Sequence, residues 1–201
     1  MTATRLLVLG AMRAFEQAHG YQVRRELLGW GVQHWANVKP GSVYHALRQL
    51  AKAGMVHSAG VEGSNEGPER VLYEFTEQGE EEFFRLLRTA LSDGDAKPEF
   101  FSAGITFMPT LDRRTVVSLL RFRLARLETS HAELVEWTEG EGIAGKPAHI
   151  WELFQWWRYD MQADCDFTRD MLRRVEGGAY ELADDVAVPF GKGPGSGGGG
   201  P

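Results

Sequence analysis

The sequence predicts a mainly α-helical protein. Three helices and a β-hairpin, in the order of a winged helix-turn-helix, precede an all-helical second half. Three observations lead there. Residues 39–56, KPGSVYHALRQLAKAGMV, form a short amphipathic helix with a polar, basic outer face and no acidic residue. Two strand-like runs follow at once, Met55 to Val61 and Arg70 to Phe75, separated by a loop rich in Gly, Ser, Asn and Pro. From about residue 97 the apolar residues recur at helical spacing through two long segments.

The totals are compatible with this. A chain of 201 residues, 43% hydrophobic, can build a packed core and allows one or two small domains. The net charge of −6 is unevenly spread. Residues 1–75 carry eight Lys/Arg against six Asp/Glu, giving +2, and residues 76–201 carry fourteen against twenty-two, giving −8. This excludes a chain coated in basic charge, yet binding a polyanion requires only one positive face. The single cysteine, Cys165, allows no intramolecular disulfide and no zinc site of the cysteine type, which suits a reducing compartment. The six histidines lack ligand spacing, so no metal and no cofactor is expected. The apolar run Leu6 to Met12 is too short to span a membrane and has no cleavage pattern, so a soluble cytoplasmic protein without a membrane partner is expected. There is no G-x-S-x-G, no H-E-x-x-H, no phosphate-cradling glycine loop and no cysteine–histidine arrangement, so no enzyme and no catalytic residue is predicted.

In chain order, residues 5–17 predict a first helix, with Leu6, Leu9, Met12 and Ala14 with Phe15 on one side, ended by His19-Gly20. Tyr21 to Leu28 predicts a second, broken by Gly29 and Gly31. Pro40 suits the first turn of a third helix running to about Ala53, and Gly54 stands where a left-handed C-terminal residue is wanted. After the hairpin, Thr76 is placed to cap a helix through Phe83, Phe84, Leu87 and Leu91. Its acidic run Glu80-Glu81-Glu82 is explained by the helix dipole. Ser92 to Asp95 then marks a boundary. A short apolar helix over 100–108 is closed by Pro109, and Asp112 precedes a long helix with the stripe Val116, Leu120, Leu124, Leu127, His131 and Leu134. A loop over 140–147 leads to a second long helix carrying Ile150, Phe154, Trp157, Met161, Thr168, Met171 or Leu172, and Val175. Both stripes repeat near 3.5 residues, which suits antiparallel packing or a dimer seam. The expected domains are 1–92, a winged-helix DNA-binding domain, and 97–177, a helical dimerisation and effector domain, with a disordered Gly-rich tail over 189–201.

The third helix divides cleanly. Val43, Leu47 and Leu50 face inward. Lys39, Gly41, Ser42, Tyr44, His45, Arg48, Gln49 and Lys52 occupy the rest of the circumference. A DNA-reading helix needs this division, with one anchoring stripe and one face of donors and cations. Gly41 and Ser42 would let backbone N–H groups approach a phosphate, and Arg48 and Lys52 would contact phosphates. An ordinary solvated amphipathic helix has the same pattern, and the hairpin that follows favours the DNA reading.

Further residues add a resemblance. Leu6-Leu7-Val8-Leu9-Gly10, His19-Gly20-Tyr21-Gln22-Val23, and Gly41-Ser42-Val43-Tyr44-His45-Ala46-Leu47 with Leu50 and Gly54-Met55-Val56 occur in order. Arg70, Tyr73, Thr76 and Gly79 complete the set. Together these make residues 5–90 resemble the PadR family of transcriptional regulators. The second half is similar to the larger PadR subgroup, whose C-terminal helices form the dimer. The resemblance implies a homodimeric repressor that places its third helix in the major groove of a palindromic operator, with Ser42, Tyr44 and His45 at the polar reading positions. One departure is plain. The wing is basic in many members, whereas Glu62, Glu66 and Glu69 surround its tip here and Arg70 is its one cation. Either the wing stands off the DNA or it makes contact through Ser64, Asn65 and backbone amides.

Six tryptophans are many for this length. Trp151, Phe154 and Trp157 would either wall a pocket for a small aromatic or hydrophobic effector or pack a core and dimer interface. Trp30 and Trp35 are expected to pack the first half. The competing function is a dimeric ligand-binding or protein-interaction adaptor on the same scaffold that does not read DNA, motivated by the acidic wing and net charge.

Overall fold

The computed structural model describes residues 3–62, 70–140 and 144–185. Its elements are α1 (Ala3–Phe15), β1 (Gln17–His19), α2 (Gly20–Gly29), α3 (Val32–Trp35), α4 (Pro40–Lys52), β2 (Val56–Glu62), β3 (Arg70–Phe75), α5 (Glu77–Ser92), α6 (Pro98–Phe107), a 3-10 turn (Met108–Thr110), α7 (Arg113–Glu139) and α8 (Ala148–Glu176). This is a winged helix followed by a helical region. The expected tail over 189–201 and the wing tip with Ser64 and Asn65 lie outside the described residues.

The chain forms two compact units. The first contains the described residues of 1–90, 96–112 and 182–201, and the second those of 91–95 and 113–181. The sequence suggested a boundary over residues 92–95, with a helical domain over 97–177 and a tail over 189–201. Instead, α6 packs into the first unit. The reason is Phe107, whose ring fills the notch left by Gly10. A Cβ at Gly10 would stand 2.1 Å from the Phe107 Cζ. Phe107 also meets Trp30 and Phe83 edge-on, at 5.9 and 5.3 Å between centroids.

Within the first unit α1 is central. Residues Leu6 to Arg13 are all buried, so the helix is apolar nearly all round rather than on one stripe. Ala14 and Phe15, expected to face inward, are exposed. Arg13 is buried because Glu80 receives its Nε at 2.8 and 3.1 Å and its guanidinium lies over Phe83 and Phe84. Arg5 reaches Glu82 at 3.0 Å. The acidic run of α5 therefore does more than complement a dipole, since two of its carboxylates hold the arginines of α1. Glu16, with φ of 62°, turns the chain into β1 rather than leaving it helical to residue 17. β1 pairs antiparallel with β3, and β3 with β2, in the order β1-β3-β2. A bulge between Ser58 and Gly60, with Gly60 at φ of 135°, bends the wing.

Glu82 gives this packing a pH signature. The hydrogen bond from Arg85, aided by the charges of Arg85 and Arg5 and opposed by burial, holds its carboxyl below the ordinary value of 4.5. A carboxyl depressed on folding contributes stability above its unfolded pKa and loses it as pH falls through the folded one. Glu82→Gln is therefore expected to lower the melting temperature at pH 7. The gap from the parent chain should close as pH drops below about 4, the range where a free glutamate protonates. Melts at pH 7 and pH 3 measure both, and a gap that stays constant with pH contradicts the linkage.

The second unit is the antiparallel pair α7 and α8. Its buried stripe on α7 runs Val116, Leu120, Arg123 and Leu127, while Leu124, His131 and Leu134 are half-buried. Arg123, only 1% exposed, replaces an expected apolar position. Its Nη1 donates to the Asp93 carbonyl and its Nη2 lies 3.7 Å from Asp164. Burial pulls the Arg123 pKa down and pushes that of Asp164 up, each opposed by the other's charge. Arg126 adds an ion pair to Asp95 at 2.5 Å. These contacts clamp residues 93–95 to α7.

Candidate nucleic-acid interface

Pro40 starts α4 at a position where its missing N–H costs no hydrogen bond. Gly54, at φ of 75°, ends it, and Met55 N–H closes onto the Leu50 carbonyl at 2.9 Å. Val43, Leu47 and Leu50 are buried, and Gly41, Tyr44, His45, Arg48, Gln49 and Lys52 are exposed, as is Lys39 at the N-cap. Ser42 is half-buried and turned back on the chain. Its hydroxyl donates to the Lys39 carbonyl at 2.6 Å and its N–H donates there at 2.9 Å. The expectation that Ser42 N–H points outward is therefore corrected, because that donor is spent inside the helix start.

α4 is seated on α2 by a glycine contact. A Cβ at Gly20 would lie 3.0 Å from the Tyr44 ring and 3.3 Å from Leu47. Tyr44 thus packs with one side and leaves 38% of its surface exposed. The start of α2 is held by Gln22, whose Oε1 accepts the His19 N–H at 2.8 Å, and His19 stacks on Tyr21. Arg48 lies close enough to Tyr73 on β3 for its charge to lower a phenol pKa that burial raises.

The electrostatics distinguish this face. Between Gln17 and Val61 there are five cations, Arg24, Arg25, Lys39, Arg48 and Lys52, against one acid, Glu26, a balance of +4. None of the five is in an ion pair with a described residue, whereas Arg5, Arg13, Arg85, Arg121, Arg123, Arg126, Arg158, Arg169 and Arg173 all are. Glu26 accepts the Trp30 Nε1 at 3.1 Å. Arg24 has its Nε buried without a hydrogen-bond partner, which is costly unless a ligand meets it. Arg24 and Arg25 were not among the sequence-derived candidates. Their signal was the adjacent Arg pair on α2. On the wing, Glu62 and Arg70 are partners in the backbone register of β2 and β3.

Three aromatic residues of the second unit pack on one another. Phe154, half-buried, sits between Trp137 at 4.6 Å and Trp157 at 5.2 Å, and Lys146 lies 5.9 Å from the Trp137 ring. Trp151 is half-buried one turn before. Trp30 and Trp35 pack in the first unit, where the Trp35 Nε1 donates to the Trp30 carbonyl at 3.1 Å. No described helix is long and apolar enough to cross a membrane.

The model of the transcriptional regulator PadR-like family matches residues 8–85, which contain the latter part of α1, α2 to α4, the three strands and about half of α5. Residues 8–85 are a PadR-like domain. The PadR-like domain thus ends inside α5, and the match leaves α6 to α8 uncovered. Among solved structures the chain is similar to Bacillus subtilis PadR in complex with operator DNA, at 16% identity, covering 86% of this chain and 98% of that one, with a TM-score of 0.40. It is also similar to smu.1604c of Streptococcus mutans UA159 (19%, 89% and 99%, TM-score 0.38) and to the PadR-like regulator BC1756 of Bacillus cereus (20%, 87% and 99%, TM-score 0.36). The assignment rests on the sequence match over the PadR-like domain. No curated protein sequence matches the chain.

Proposed function

We propose that the chain is a homodimeric transcriptional repressor that binds a palindromic operator through α4 of each subunit, and that Arg24 and Arg25 of α2 join the phosphate contacts. The observation that carries this reading is the set of five cations on α2, α4 and its N-cap without acidic partners, on a stretch from Gln17 to Val61 that holds a single acid. Nine arginines outside this stretch are tied down by carboxylates. These five are held in reserve for a polyanion. In helix-turn-helix proteins the second helix enters the major groove while the first crosses the backbone, which assigns α4 to base edges and α2 to phosphates. Half-sites would lie about one helical turn apart. Release by a small aromatic ligand at Trp151, Phe154 and Trp157 belongs to the same proposal, since rings stacked this closely would have to part to admit it.

The test is a salt titration of binding to the protein's own promoter. Up to five phosphate contacts per subunit predict a slope of log K against log salt of roughly −5 to −9. Arg48→Ala is expected to reduce affinity about tenfold and to flatten the slope by about 2, one contact in each of two subunits. Arg24→Gln should flatten it similarly without loss of melting temperature, because it removes a buried donor that has no partner. Equal affinity for the promoter and for random duplex would instead favour an adaptor that does not read DNA.

A further inference from the structure

A cavity of about 220 Å³ opens in the first unit, where the start of α1, the turn between α3 and α4 and the start of α6 meet. Four polar side chains line it: Thr4, Asn37, Lys97 and Glu99. Phe100 and Ala36, both buried, give it an apolar wall. An engineered cavity of about 150 Å³ holds benzene, so this one has room for a ligand of roughly nine non-hydrogen atoms. Lys97 and Glu99 bring opposite charges to one small space, yet neither makes an ion pair with the other or with any other described residue. The side chains of Thr4 and Asn37 likewise bond to no described residue. The nearby arginines of α1 differ, since Glu82 holds Arg5 and Glu80 holds Arg13.

The charges define what fits. A simple anion or a simple cation would meet one complementary group and one that repels it. A ligand with both charges gives its carboxylate to Lys97 and its ammonium to Glu99, and the Thr4 hydroxyl and Asn37 amide supply further hydrogen bonds. Phe100 and Ala36 receive a short neutral side chain. We propose that this cavity binds a small zwitterion, an α-amino acid with a neutral side chain. The site has a route to the proposed reading helix. Asn37 stands at φ of 51°, two residues before Lys39, the N-cap of α4, and Val38 between them is buried. A ligand bonded to Asn37 holds this turn in the arrangement that starts α4, and a ligand that fits one arrangement favours it over others. The amino acid therefore strengthens operator binding. That last step rests on the DNA reading above, and the binding itself does not.

Thermal melts of the full chain with each common L-amino acid in turn test the site. At least one with a neutral side chain is expected to raise the melting temperature by roughly 5–10 °C when present at about 100 times its Kd. Its methyl ester, which keeps only the ammonium, and its des-amino acid, which keeps only the carboxylate, should each lose most of that shift. By calorimetry, Lys97→Ala and Glu99→Gln should each weaken binding at least tenfold. Their melting temperatures without ligand should stay within about 2 °C of the parent chain, since neither side chain has a partner to lose. A chain that no amino acid stabilises, or whose ligand ignores both substitutions, overturns the site and leaves the DNA reading intact. Promoter affinity should rise several-fold with the amino acid present, and unchanged affinity overturns the coupling alone. A chain that binds the amino acid but prefers no promoter overturns the DNA reading and the coupling, and upholds the site.

Discussion

Replacing Gly79 by alanine is expected to cost about 3 kcal/mol of folding stability, the upper part of the range for forcing an extra carbon into a packed site. The melting temperature should fall by roughly 6–12 °C. Gly79 is buried in the first turn of α5. A Cβ there would stand 2.2 Å from the Met55 carbonyl oxygen and 2.9 Å from the Phe75 ring. The nearer obstacle is backbone, and that backbone is held from both sides. Met55 N–H donates to Leu50 at the end of α4, and the Thr76 hydroxyl donates to the Gly54 carbonyl at 2.8 Å while accepting the Gly79 N–H at 3.1 Å. The start of α5 is thus pinned to the exit of α4, and relief requires moving the turn that ends the proposed reading helix. At Gly10 the obstacle is the Phe107 side chain, so the same substitution there has a softer way out. Thermal melts followed by circular dichroism measure the effect. A loss below 1 kcal/mol would mean that the Gly54–Met55 turn shifts freely, contrary to its hydrogen bonds.

The contrast between α4 and its surroundings shows where sequence reasoning reaches. α4 was legible because its determinants are local: Pro40 at the start, Gly54 at the end, and three apolar residues at one helical spacing between them. Thr76 as a cap was legible for the same reason. β1 was not, because three residues have no periodicity of their own. Gln17 to His19 become a strand only by pairing with Leu72 to Glu74, some 55 residues away. Charge alone gives no reason to expect Arg13 and Arg123 inside. Their burial depends on Glu80, Asp93 and Asp164, partners far along the chain that no local pattern announces. α6 was grouped with its neighbours in sequence, whereas the Gly10–Phe107 fit sends it to the first unit. The outer face of α4 was legible residue by residue as an exposed set, apart from the Ser42 N–H, which the helix start consumes. Arg24 and Arg25 gain meaning only once α2 is known to pack against α4 through Gly20. The aromatic residues of α8 divide between two faces. Phe154 and Trp157 turn toward α7, and Trp156 and Tyr159 turn away.

Alanine at Gly41 is expected to move stability and DNA affinity in opposite directions. Gly41 is the second residue of α4 and exposed, and no atom lies within 4 Å of the place its Cβ would take. Its φ is not in the left-handed region, unlike that of Gly54. The fold therefore supplies no reason for glycine there, and glycine in a helix is less favourable than alanine by about 0.5–1 kcal/mol. Gly41→Ala should raise the melting temperature by roughly 1–2 °C, toward the small end because the site is in the first turn. On the proposed interface the same methyl is a spacer. Gly41, His45, Arg48 and Lys52 follow one another at intervals of 4, 3 and 4 residues along the face opposite Val43, Leu47 and Leu50. A carbon added at the head of that row would hold the helix away from the groove and lengthen every contact behind it. An affinity loss of about tenfold, or 1.4 kcal/mol, is expected. The opposite signs make the result decisive, because a binding loss caused by damage to the fold would come with a lower melting temperature. A higher melting temperature with unchanged affinity would remove Gly41 from the interface and leave the role of Arg48 to its own salt titration.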